Sequence, residues 1–82
     1  MRKHGISFET ARRIFDDPFA LMILDKDDSG EDRWRAIGRA GTDLVLVVAH
    51  TVRWRSSEDI IRIISARRAL KHERKRYEEQ AP

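Results

Sequence analysis

The stretch "IIRIISARRALKHERKRYEE", residues 60–79, changes character partway along and decides much of the fold. Its first six residues are apolar except for Arg62 and Ser65, which is typical of a β-strand, and the apolar residues fall on both alternating faces. We therefore predict an interior strand that is covered on both sides and lies centrally in a sheet. An arginine at position 62 is unexpected inside such a strand and needs an explanation.

The second part of the stretch predicts a helix over about residues 68–79 with one carboxylate facing inward. At about 100° per residue, one narrow stripe of this helix contains Ala66, Ala69, Leu70, Glu73 and Tyr77. A buried carboxylate is costly unless it is paired, and Arg62 or Arg67 in the preceding strand is the nearest partner in sequence. The pair would be either a structural bridge between helix and sheet or part of a functional cluster.

The rest of the chain completes an α+β pattern. Ser7 is a candidate N-cap for the amphipathic helix "FETARRIF", which ends before Pro18. Three further runs predict antiparallel strands in a meander: "ALMILD" (20–25), "RWRAIGRA" (33–40) and "DLVLVVAHTVRW" (43–54). The polar linker "RSSED" then leads into the last strand. We expect one domain over residues 1–82, with a small four-stranded antiparallel sheet, an N-terminal helix and a C-terminal helix.

Composition limits where the protein acts and what it binds. The chain has 82 residues, no cysteine and a formal net charge of +3, with a pI near 9.8. Residues 16–32 carry seven acids against one lysine, whereas the chain from Arg53 onward carries nine basic residues against five acids. This separation orients a polyanion toward one side, although a solvated surface of mixed sign is equally compatible. The absence of cysteine fits a cytoplasmic protein, and no apolar run is long enough for a membrane span.

The motifs give no support for a metal ion or another cofactor. The segment "DKDDSG" begins like a calcium loop, but the twelfth position is Ala36 instead of a bidentate glutamate. The histidines at positions 4, 50 and 72 are scattered, and no two have a zinc-ligand spacing. We expect neither a metal site nor a bound cofactor.

Arginines with histidine, tyrosine and glutamate nearby are sufficient to cleave RNA without a metal ion. The 2'-hydroxyl of RNA is its own nucleophile, so a protein has to move protons and stabilise the charge on phosphorus. The planar guanidinium group of arginine can hold phosphate oxygens bidentately. This composition permits RNA cleavage but does not select it over other functions.

Four segments of the chain, taken in order, resemble the BrnT family of type II toxins. They are "KHGISFETARRIFDDP", "EDRWRAIGRAG", "VVAHT" and "IRIISARRALKHERKRYEE". They cover nearly the whole chain, and "RIISARRA" followed by Glu and Tyr at helical spacing is the most specific of them. The resemblance implies a RelE-like fold and a ribonuclease that stops translation. It also implies neutralisation by BrnA, a ribbon-helix-helix DNA-binding antitoxin, in a complex that represses the operon.

The resemblance also implies site residues. The catalytic candidates are His4, Arg33, Arg62, Arg67 and Glu73, with Ser65 in the same motif. Tyr77 of the motif is an RNA-binding candidate. The basic residues at the start of and along the predicted helix add Arg68, Lys71 and Arg74 because of their charge, although such a run is also typical of a solvated helix face. Arg62 and Arg67 would grip the scissile phosphate and His4 would transfer a proton. The alternatives are a structural bridge to Glu73 for the arginines, an exposed or capping role for His4, and a core position for Tyr77.

Two other functions stay open, and one feature departs from the family. Family members carry a further strand and helical segment before "KHG", whereas two residues precede it here, so the N-terminal edge of the fold could be truncated. A toxin-like domain could also bind RNA or antitoxin without cutting. A third possibility is an oligomerisation domain in which Trp34 and Trp54 form a subunit contact, although such tryptophans more often lie in the core or stack on arginines.

Overall fold

The computed structural model describes residues 2–3, 5–26, 32–55 and 58–80, and it has the expected α+β architecture. The elements in chain order are β1 (Arg2–Lys3), β2 (Ile6–Ser7), α1 (Phe8–Arg12), a 3-10 turn (Arg13–Asp16), β3 (Leu21–Lys26), β4 (Asp32–Arg39), β5 (Val45–Arg55), β6 (Glu58–Arg68) and α2 (Lys71–Gln80). Strands β3 to β6 form an antiparallel sheet in chain order, and β1 pairs with β2. No helix among the described residues is long and apolar enough to cross a lipid bilayer.

The predicted central position of the last strand is wrong. The sheet order is β3-β4-β5-β6, so β6 lies at one end of the four-stranded sheet and β4 and β5 lie in its middle. The apolar run of β6 is also not covered on both sides, since Ile60 is 44% exposed and Ile61 is 47% exposed. An apolar run on both faces therefore did not mark an interior strand here.

A β-bulge in β6 explains why its sequence does not alternate cleanly. Ala49 of β5 pairs with Ser65 and the next residue, His50, pairs with Ile63, which leaves Ile64 as an extra residue. Such an insertion breaks the period of two, so side chains on either side of it change their relation to the faces of the sheet.

Two element boundaries differ from the prediction because β5 and β6 form a longer hairpin than the apolar runs suggest. Arg55 pairs with Glu58, so two residues separate the strands, and the longer polar linker predicted over "RSSED" is wrong. At the other end, β6 continues through Arg68. The C-terminal helix therefore begins at Lys71, three residues later than predicted.

The sheet has a helix on each face, and each helix covers a different core. On the first face, called the α1 face, Ala11 and Ile14 from α1 and the 3-10 turn pack with sheet residues that include Ala36, Val48 and Ala66. On the second face, called the α2 face, Tyr77 from α2 packs against the sheet residues Ile37, Val45 and Val47. Adjacent residues such as 36 and 37 belong to different cores because successive side chains of a strand point to opposite faces.

The N-cap predicted for the first helix is confirmed. The hydroxyl of Ser7 accepts a hydrogen bond from the backbone N–H of Thr10 at 3.2 Å. The Thr10 hydroxyl lies 2.8 Å from the Ser7 hydroxyl, where a capping box would have a glutamate side chain. Both contacts satisfy polar groups at the start of a helix that is only five residues long.

Gly38 of β4 lets the 3-10 turn pack directly on the sheet. A Cβ atom at this position would lie 3.0 Å from the Cβ of Ile14 and 3.3 Å from the Cβ of Ala20. Both distances are shorter than ordinary van der Waals contact, so a side chain here would push the turn away from the sheet.

We predict that Gly38→Ala lowers the free energy of unfolding by about 1–3 kcal/mol through overpacking of the α1 core. The matched control is Gly41→Ala, because a Cβ at Gly41 meets no atom within 4 Å. The control should stay within about 0.5 kcal/mol of the parent chain. Urea unfolding measures both, and equal stability of the two variants would contradict the proposed close packing at Gly38.

Candidate active site

Helix α2 covers only part of the α2 face, and the uncovered part carries arginines. Cross-strand pairing places Arg33, Thr51 and Arg62 in one row across β4, β5 and β6. The neighbouring row on the same face consists of Ile23, Arg35, Ala49 and Ser65, all of which are half-buried. We call these two rows, together with Asp25 opposite Arg33, the open face.

Arg33 and Arg62 are the exposed arginines of the open face. They lie on strands separated by β5, so their backbones are about 10 Å apart, at about 4.8 Å per strand. Within the described part of the chain, no hydrogen bond or ion pair of the Arg62 side chain is present. A phosphate group between these two strands would be within reach of both guanidinium groups.

The bulge at Ile64 sets the orientation of the motif "RIISAR". Arg62 pairs with Thr51, Ser65 pairs with Ala49, and Arg67 pairs with Val47. Arg62 and Arg67 are five positions apart, which would place them on opposite faces of a regular strand. The extra residue brings both arginines, and Ser65 between them, to the α2 face.

Arg35 also belongs to the open face, and the sequence interpretation missed it. Its Nε atom lies 2.7 Å from Oδ2 of Asp25, and the two side chains are 39% and 44% exposed. The signal was available in the sequence, since "RWR" places Arg33 and Arg35 on one side of a strand. The Asp25 carboxylate therefore forms an ion pair with Arg35 on the open face.

Arg67 and Glu73 form the predicted bridge between sheet and helix, and the partner of Glu73 is Arg67 instead of Arg62. The Arg67 Nη1 and Nη2 atoms donate to the two carboxylate oxygens of Glu73 at 2.7 Å and 2.9 Å. The carboxylate also accepts the backbone N–H of Leu70 at 2.8 Å, at the start of α2. The hydrogen bonds from Arg67 lower the pKa of Glu73 from 4.5 to about 2 and raise the pKa of Arg67.

Tyr77 is a core residue whose hydroxyl is hydrogen-bonded. This agrees with the predicted core position, which was the alternative to an RNA-binding role. The side chain is 2% exposed, and its hydroxyl donates to Oδ2 of Asp17. Burial raises the pKa of Tyr77, and the bond to Asp17 raises it further. Asp17 also accepts the backbone N–H groups of Phe19 and Arg39, each at 2.9 Å. These hydrogen bonds lower the pKa of Asp17 although burial by itself would raise it.

The described residues place no histidine on the open face. His50 lies on the α1 face, is 2% exposed and packs edge-on against Phe15 with ring centroids 5.0 Å apart. Burial lowers the pKa of His50, which favours the neutral ring. His72 is exposed on α2, and His4 lies outside the described residues.

The basic candidates on and before α2 do not form one surface. Arg68 pairs with Leu46, so it lies on the α1 face, opposite Arg62. Lys71 and Arg74 are exposed on α2. Across the residues that the structure describes, no group of three or more histidine, aspartate or glutamate side chains could hold a metal ion.

A family model described as the ribonuclease toxin, BrnT, of type II toxin-antitoxin systems matches residues 1–73. The chain belongs to the BrnT family. The match contains the whole sheet, the open face and the Arg67–Glu73 pair, whereas the rest of α2 follows it. A BrnT toxin is a ribonuclease paired with an antitoxin, so membership supports RNA as the substrate and an antitoxin as the partner. A search of curated proteins gives no match for this BrnT chain.

We predict that Glu73→Gln lowers the free energy of unfolding at neutral pH by about 1.5–3 kcal/mol, because it removes hydrogen bonds to a charged group. The folded-state pKa is about 2 and the ordinary value is 4.5. The contribution of the carboxylate is therefore present above pH 4.5 and is lost as the pH falls toward 2. Thermal unfolding of parent and variant from pH 7 to pH 2 should show the difference shrinking with acid.

The control for this variant is Glu79→Gln, which changes an exposed glutamate of the same helix. It should leave stability nearly unchanged at every pH. A constant difference between Glu73→Gln and the parent down to pH 2 would show that the carboxylate charge does not stabilise α2.

Proposed function

We propose that this BrnT chain is a metal-independent endoribonuclease whose active surface is the open face. The observation that carries the proposal is the convergence of Arg33 and Arg62 on one uncovered part of the sheet. Arg62 has no ion pair among the described residues, so its charge is available for a phosphate. Arg33 extends the positive surface across β5, in line with the path of an RNA backbone.

The reaction that suits these groups is transesterification within RNA. The 2'-oxygen attacks the adjacent phosphorus, the bond from phosphorus to the 5'-oxygen breaks, and a 2',3'-cyclic phosphate remains. Guanidinium groups at positions 62 and 33 would stabilise the negative charge that develops on the phosphorane oxygens. One group has to accept the 2'-hydroxyl proton and another has to protonate the leaving oxygen. We propose His4 as one of these proton-transfer groups, as the family resemblance implies.

The other candidates take different roles under this proposal. Both nitrogens of the Arg67 fork are bonded to Glu73, so we assign this pair to positioning α2 beside the open face. The buried Tyr77 is assigned to the same structural task. Ser65 lies on the open face between Arg62 and Arg67 and could contact the sugar or phosphate. Lys71 and Arg74 would track the RNA backbone beyond the site.

The biological setting follows from the same proposal. Cleavage of RNA by a free toxin would stop translation, which places its action in the cytoplasm. A BrnA-like ribbon-helix-helix antitoxin would neutralise the toxin in a complex that also binds operator DNA.

We predict that Arg62→Ala abolishes RNA cleavage, with a loss of about 100-fold or more, while the domain stays folded. The exposed side chain makes no hydrogen bond or ion pair among the described residues that folding would lose. The measurement is incubation with single-stranded RNA in EDTA, followed by identification of 2',3'-cyclic phosphate ends and by thermal unfolding of each variant.

The control for Arg62→Ala is Arg12→Ala, which removes the same charge from α1. It should cleave at the parent rate. If Arg62→Ala retains full activity, Arg62 is not catalytic. If the folded parent binds RNA with steep salt dependence but never cuts it, a non-catalytic binding module is the better description.

We also predict that the double variant Lys71→Ala with Arg74→Ala weakens RNA binding to a similar extent for all RNA sequences. Loss of two phosphate contacts should reduce the slope of log affinity against log salt by about 1.4, at about 0.7 per contact with a single strand. Fluorescence anisotropy with a labelled oligonucleotide at several salt concentrations measures the slope. Arg12→Ala with Arg13→Ala removes equal charge from α1 and should leave the slope nearly unchanged; similar slopes in both double variants would contradict a role for α2.

A further inference from the structure

A second concave surface lies beside the open face. It is a cleft of about 900 Å³ between α1 and β6. Its apolar lining consists of Phe8 and Phe15 from the helical segment and Ile61 and Ile63 from the strand. Ile61 is 47% exposed, which is high for an isoleucine in a sheet. The cleft therefore offers apolar surface that the described residues do not cover.

The charges around the cleft favour a protein over RNA. The helical side is lined by two acids, Glu9 and Asp16, and two bases, Arg12 and Arg13, so it carries no net charge. A nucleic acid backbone would meet both carboxylates there, whereas a protein helix can present acids and bases in the complementary order. With Arg62 of the strand included, the cleft lining carries three arginines against two acids, whereas the open face carries three arginines against Asp25 alone.

Arg62 connects the two surfaces. By its pairing with Thr51 it belongs to the open face, and it also lines the cleft because β6 is at the end of the sheet. A molecule seated in the cleft would therefore lie against the arginine that we assign to the phosphate. A molecule bound in the cleft would therefore hinder access of RNA to Arg62 without occupying the rest of the open face.

We propose that this cleft is the docking site for an amphipathic helix of the antitoxin. The proposal rests on membership of a toxin-antitoxin family and, for its inhibitory consequence, on the function proposed above. The volume is large enough for several side chains, which fits a helix that inserts anchors at successive turns. The apolar side of that helix packs on Phe8, Phe15 and Ile61, and its acids pair with Arg12 and Arg13.

The test uses two variants of the cleft and one matched control. Ile61→Glu places a charge on the apolar wall. Arg12→Glu with Arg13→Glu replaces both bases of the helical side by acids, so that this side then carries four acids, without altering the sheet. The control is Leu24→Glu, a change of similar size at a residue 40% exposed on β3, at the other end of the sheet. Calorimetric titration of each full-length variant with the antitoxin encoded in the same operon gives the affinity, and thermal unfolding confirms the fold.

We expect each cleft variant to weaken antitoxin binding by about 30-fold or more, as loss of a central anchor does, and Leu24→Glu to bind like the parent. RNA affinity should stay near the parent value in Ile61→Glu. Unchanged antitoxin affinity in both cleft variants would overturn the proposal, as would a loss confined to Leu24→Glu, which would place the antitoxin at β3. Loss of RNA affinity with antitoxin binding retained would make the cleft an RNA surface instead.

This experiment separates the two proposals. Antitoxin affinity is measured directly, so a parent chain that cleaves no RNA still gives a complete answer about the cleft. Conversely, an active ribonuclease that binds antitoxin equally well in all variants would overturn the docking site and leave the catalytic proposal standing.

Discussion

The bidentate bond between Arg67 and Glu73 is the interaction on which the arrangement of this molecule depends. The buried residues of α2 are Glu73 and Tyr77, so the helix has no broad apolar stripe to hold it on the sheet. Polar contacts fix its position instead: Glu73 joins β6 to the first turn, and Tyr77 reaches Asp17. A helix held in this way covers a limited area, and the rest of the α2 face stays accessible. The candidate site is thus the part of the sheet that the helix leaves uncovered.

Local patterns predicted most of the elements because local physics controls them. The Ser7 cap, the existence of the four sheet strands and the inward orientation of Glu73 all follow from periodicity or from short-range hydrogen bonding. The order of the strands also follows the chain, as hairpin connections favour. The same rule would have placed β6 at the end of the sheet, but its apolar pattern resembles that of an interior strand and led to the wrong position. A single bulge residue, Ile64, interrupted the alternation of side chains between the two faces of β6. Isoleucine is common in regular strands, so the residue type did not indicate a bulge.

The candidate site was predictable to the extent that its residues share one strand or one short motif. Arg62 and Arg33 were both named from the sequence, but their common face depends on cross-strand register. Arg68 was grouped with them because of its charge, and the register places it on the other face. Arg35 could have been found from its spacing to Arg33. The Asp17 partner of Tyr77 could not, because the two residues are 60 positions apart and no local rule connects them.

That long-range contact has a consequence for the order in which the protein can form during its synthesis. The α1 core needs Ala66 from the last strand, and the α2 core needs Tyr77 from the last helix. Neither core is complete while the growing chain ends before these residues, and contacts so distant in sequence close late because of their loop entropy. The sheet and its two helices therefore assemble only after residues 66–77 have been synthesised.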